Sequence, residues 1–121
     1  MRPGEELVGI GVDSVSWGRI ERFLNDHSPV VERLLSPSEK KSFHTASDPL
    51  PLFARFFVAK EAYFKACNGF WLGPEAGFRE IEISFEDASR FRVACDFQAE
   101  GEFFKTPNGI GARVVIWKEP S

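Results

Sequence analysis

The sequence lacks most of the features that would send it to a membrane, an export route or a nucleic acid. No run of 18 apolar side chains occurs in its 121 residues, and the first six residues hold no apolar stretch of the signal-peptide kind. Lys/Arg runs of five or more are absent and the net charge is -3, so no global field draws in a phosphodiester backbone. There are only two cysteines, Cys67 and Cys95, in no metal or redox spacing, and both read as reduced core thiols. The only histidines, His27 and His44, fall near the ends of early helices and are assigned no chemistry. No internal repeat, low-complexity tract or linker interrupts the chain. The expectation is one cytoplasmic domain over residues 1–121, with no nucleic acid and no membrane.

What is plentiful is phenylalanine. Thirteen copies, from Phe23 to Phe104, predict a bulky aromatic interior or a subunit contact rather than a disordered tail. Charge is uneven as well: residues 52–66 carry Arg55, Lys60 and Lys65 against the single acid Glu61, enough to hold a small anion.

Periodicity gives the elements. Leu7 to Val12, broken by Gly9 and Gly11, reads as a buried strand whose backbone is closely approached, ending at Asp13. From Trp17 the spacing of Ile20, Phe23 and Leu24 predicts an amphipathic helix reaching His27. Helices starting at Ser28-Pro29 and Ser36-Pro37 follow, the second with Glu39 at the capping-box position. Asp48-Pro49 precedes a longer helix, about Leu52 to Cys67, with Phe53, Phe56, Phe57 and Phe64 along one side and Asn68-Gly69 as its stop.

Beyond a Gly/Pro-rich bend at 73–77, alternation at Ile81, Ile83 and Phe85 predicts a half-buried strand. A turn at Asp87-Ala88-Ser89 leads into Phe91, Val93 and Cys95. A last strand runs from Val114 to Trp117 after Asn108-Gly109. The order predicts an α+β fold, a small antiparallel sheet packed with a long central helix and shorter ones.

Two segments are candidates for chemistry: Gly9-Ile10-Gly11-Val12-Asp13 and Lys60-Glu61-Ala62-Tyr63-Phe64-Lys65-Ala66. Alone, Asp13 also suits the cap of the following helix, and Glu61 with Lys65 an ordinary i, i+4 pair. Together they resemble the 4'-phosphopantetheinyl transferases of the acyl-carrier-protein synthase type, which have G-I-G-x-D on the first strand and K-E-A-x-x-K-A on the long helix. Arg19-Ile20 and the stretch Arg33-Leu34-Leu35-Ser36 to Glu39 also look like that family. The likeness is good over residues 8–67 and looser through Glu80 to Ile83 and Val114 to Trp117.

The resemblance implies transfer of the phosphopantetheine arm of coenzyme A to a serine of an acyl carrier protein, with Mg²⁺, in a homotrimer whose active sites lie between subunits. It assigns Asp13 and Glu61 to the metal, and Lys65 to the diphosphate with Glu61 as candidate base. Lys60, Arg55, Asn68 and Gly69 would contact the nucleotide, and Arg19 and Arg22 the carrier protein, although those two arginines also suit a solvated helix face. The chain departs from the pattern at three points. Phe56 takes the family's arginine position, leaving Arg55 one residue and about 100° away. Asn68-Gly69-Phe70-Trp71 replaces a Gly-x-Gly, and no histidine precedes the last strand. These departures support an alternative, a family member that kept the scaffold as a carrier-protein or ligand binding module.

Overall fold

A computed structural model describes residues 4–67 and 78–119. The elements are β1 (Glu6–Ser16), α1 (Trp17–Asp26), α2 (Ser28–Arg33), α3 (Pro37–Thr45), α4 (Pro49–Ala66), β2 (Ile83–Phe85), β3 (Arg90–Val93), β4 (Gln98–Thr106) and β5 (Gly109–Lys118). The strands form one antiparallel sheet in the order β1-β5-β4-β3-β2, with α4 against one face. This is the expected α+β architecture.

β1 is longer than its apolar run. Its pairing with β5 runs from Glu6 opposite Lys118 to Ser16 opposite Gly109, so Asp13 lies inside the strand rather than at its end. The helix cap is Ser16, whose Oγ accepts from Arg19 N at 3.1 Å, which leaves the Asp13 carboxylate for another use. Ser36 and Glu39 make the expected capping box on α3. α4 starts at Pro49, three residues before the expected Leu52, because a proline at the first helical position gives up no hydrogen bond. Asn68, Gly69 and the bend at 73–77 lie outside the described residues.

The C-terminal half holds the larger differences. β4 does not read as a strand, since Glu100, Gly101 and Glu102 break the apolar alternation. It forms because β3 and β5 flank it and because the Phe91 ring lies over Gly101, where any Cβ would collide with it. β5 starts at Gly109, not Val114, as the second arm of a hairpin turning at Pro107-Asn108. Cys67 is a buried thiol as expected, but Cys95 is exposed in the β3–β4 connection, its Sγ donating to Phe97 O at 3.1 Å.

The core is aromatic. Phe53, Phe56, Phe57, Phe78 and Phe91 are buried, with Phe23, Phe43, Phe64, Phe85 and Phe103 packed against them. Rings of Phe53 stand 5.8 Å from Phe23 and 5.9 Å from Phe57, within the range of favourable ring pairs. The opposite face of the sheet is different. Leu7, Ile10, Val12 and Val115 are exposed there, Ile10 by 59%, with Ile10 paired across to Val115.

Candidate active site

The site begins with two glycines. Gly9 and Gly11 point at α4, and a Cβ on Gly11 would stand 2.0 Å from Ala62 O, one on Gly9 1.8 Å from Ala66 O. Ala62 and Ala66 are themselves fully buried, so strand and helix meet backbone to backbone. Any larger side chain on either element would push them apart. Two residues beyond Gly11, on the same face of the strand, comes Asp13.

On α4, Glu61 and Lys65 sit one turn apart, each directly before one of the contact alanines. Lys65 Nζ donates to Asp13 Oδ1 at 2.9 Å. Glu61 is half-buried beside them, and its carboxyl is held above the ordinary carboxylate range, first by burial and then by the negative charge of Asp13. The positive charges of Lys65 and Arg19 act against that shift. Arg19 reaches the group from the first turn of α1, its guanidinium 5.9 Å from the centre of the Phe57 ring. The structure thus brings together Asp13, Glu61, Lys65 and Arg19, from three elements.

Two acids facing two cations at a half-open surface suit a polyanion with a hard cation. Mg²⁺ takes oxygen ligands and is bound by one or two carboxylates together with phosphate oxygens and water, which the donor set of Asp13 and Glu61 fits. Among the described residues no cluster of three or more His, Cys, Asp or Glu exists, so a closed zinc-type site is not built there.

Two expected phosphate ligands lie elsewhere. Lys60 is 1% exposed and turned into the core, where Nζ meets Glu39 Oε1 at 2.5 Å and donates to Leu34 O at 2.9 Å and Phe78 O at 2.6 Å. The reason is helical phase: Lys60 follows Phe53, Phe56 and Phe57 at i+7, i+4 and i+3, on the buried stripe. That spacing was legible in the sequence, but the charge of Lys60 read as a ligand. Arg55 is also occupied. Its guanidinium covers the rings of Phe85 at 4.3 Å and Phe103 at 4.8 Å and donates to Asp87 O and Ala88 O, pinning the β2–β3 turn. Arg22 is exposed on α1, and Asn68 and Gly69 are outside the described residues.

Residues 9–115 match the 4'-phosphopantetheinyl transferase superfamily. A holo-acyl-carrier-protein synthase of Geobacillus sp. (strain WCH70) is 35% identical over 83 residues, 67% of this chain and 69% of that one. One from Bacillus velezensis is 35% identical over 91 residues, 74% of each chain. Among solved structures, the holo-acyl-carrier-protein synthase of Neisseria meningitidis superposes with a TM-score of 0.76 at 26% identity, over 91% of this chain and 98% of that one. The Bacillus anthracis synthase in complex with CoA (3',5'-ADP) gives 0.76 at 27% identity, over 94% and 99%.

Proposed function

The chain belongs to the 4'-phosphopantetheinyl transferase superfamily, as a protein of the holo-acyl-carrier-protein synthase type, and we propose that it moves the phosphopantetheine arm of coenzyme A to a serine of an acyl carrier protein with Mg²⁺. The observation that carries this reading is the meeting of Asp13 with Lys65 and Glu61, some fifty residues apart in sequence, at one surface.

Asp13 and Glu61 would hold the Mg²⁺, which would neutralise the charge of the diphosphate. In the reaction the serine Oγ forms a bond to the phosphorus that carries the pantetheine arm. The bond from that phosphorus to the bridging oxygen breaks, and adenosine 3',5'-bisphosphate leaves with the electron pair. Lys65 leaves Asp13 for the diphosphate oxygens, a short movement for a side chain 52% exposed. Glu61, acting through an intervening water, is the candidate to accept the serine proton. Arg19 and Arg22 offer cations to an acidic carrier protein, and the carriers of fatty-acid synthesis are the first to test.

The remaining assignments belong to the same reading. We assign residues 1–121 to one domain, a reading that the shared core of the described helices and sheet supports. The exposed Leu7, Ile10, Val12 and Val115 support burial against other copies, as a homotrimer. No helix of the described residues is long and apolar enough to cross a membrane, and we assign the protein to the cytoplasm, where coenzyme A and carrier proteins meet.

The engagement of Lys60 and Arg55 away from the site favours a second reading, a binding module that docks carrier protein without handling coenzyme A. One experiment separates the two: incubation with apo carrier protein, coenzyme A and Mg²⁺, followed by the carrier's mass. Gain of one phosphopantetheine supports the transferase. No gain with any apo carrier, together with carrier binding, supports the module.

A further inference from the structure

We propose that the buried ion pair of Lys60 and Glu39 is a positioning device for the transfer site, fixing the rotation of α4 that turns Glu61 and Lys65 toward Asp13. This inference rests on the reading of that site given above.

The pair is fully enclosed and fully satisfied. Each of the three ammonium protons has a partner: Glu39 Oε1, the Leu34 carbonyl beyond α2 and the Phe78 carbonyl. The Glu39 carboxylate in turn accepts from Ser36 N at 2.9 Å and from Ile83 N at 2.8 Å. One ammonium therefore ties α4 to the end of α2, the start of α3, β2 and the residue Phe78.

The close approach of Ala62 and Ala66 to Gly11 and Gly9 holds α4 near β1, and the ion pair adds a directional constraint on its rotation. Phe53, Ala54, Phe56, Phe57, Val58, Ala59, Ala62, Tyr63 and Ala66 are all buried, so apolar surface surrounds most of the circumference of α4. Apolar burial is non-directional, whereas an ammonium with three fixed acceptors resists rotation. Lys60 and Glu61 are consecutive, so the direction of one determines that of the other, about 100° away. A turn of 20° about the axis would move a group at the helix surface by about 2 Å. Misplacement of about 1 Å can cost roughly 100-fold in rate. Buried ion pairs add little stability over well-packed apolar residues, so the gain here is geometric.

The test uses the full chain as Lys60→Met with Glu39→Gln, which removes both charges and keeps an acceptor for a backbone N–H. Melting temperature, kcat, the KM for coenzyme A and a crystal structure are measured. The inference expects a folded protein with kcat lowered roughly tenfold or more. KM should change little, and the crystal structure should show Lys65 and Asp13 parted. Wild-type kcat with the Lys65 to Asp13 contact retained overturns it. A rise in KM alone also overturns it, because Lys60 would then be serving coenzyme A directly. Should the double variant not fold, Glu39→Asp, which keeps both charges and shortens the reach of the carboxylate, is measured in the same way with the same two outcomes. If the wild type transfers nothing, the transferase reading fails, and the crystal structure still decides whether the pair sets α4.

Discussion

Lys65 donates a 2.9 Å hydrogen bond to Asp13 although fifty-two positions separate them, and the contact exists because Gly9 and Gly11 let β1 lie against the backbone of α4. The small residues of both motifs pack strand against helix, and the proposed chemistry falls to Asp13, Glu61 and Lys65, with Lys60 turned into the core.

Gly11→Ala tests the packing half of that statement. The added methyl would meet Ala62 O at 2.0 Å, and neither strand nor helix backbone can yield cheaply. The variant should lose about 1–3 kcal/mol in urea unfolding, with transfer activity reduced further than stability alone explains.

Asp13→Ala and Lys65→Ala test the chemical half. Both side chains are at least partly exposed, so each variant should keep its fold and its melting temperature within a few degrees. Transfer to apo carrier protein should fall roughly 100-fold or more in each, read by mass spectrometry of the carrier.

Glu61 makes a pH-dependent prediction. Its carboxyl is raised by burial and by Asp13, so between the ordinary carboxyl range and that raised value the folded protein holds a proton that the unfolded chain has lost. Stability therefore falls as pH climbs through this window, and it is regained only below the unfolded value of about 4.3. Glu61→Gln should melt above the wild type at neutral pH and without that advantage near about pH 3.5. The same variant should transfer nothing, a gain in stability coupled to a loss of function.

Ile10→Glu tests the uncovered sheet face. Ile10 is 59% exposed and paired with Val115, so a monomer should tolerate the change. If three copies bury this face, sedimentation should show the wild type at three times 13.7 kDa and the variant at one. Equal masses for the two proteins would remove the face as the interface.

Short-range pattern made much of this molecule legible. The capping box of Ser36 and Glu39 and the helix from Trp17 depend on neighbours a few residues away. What escaped depends on distant ones. β4 exists because β3 and β5 flank it, and β1 extends to Ser16 because β5 pairs with it that far. Lys60 is the instructive case, since its phase with Phe53, Phe56 and Phe57 pointed inward while its charge pointed out. Its partner Glu39 lies on another helix, and sequence spacing does not reveal that pairing.

The central claim is that Asp13 and Glu61 form one cation site serving a diphosphate. Calorimetric titration of coenzyme A into the protein, with and without Mg²⁺, tests it directly, using wild type, Asp13→Asn and Glu61→Gln. The account predicts Mg²⁺-dependent binding to the wild type that disappears in both variants. Binding of equal strength with and without Mg²⁺, or wild-type behaviour in either variant, would contradict it.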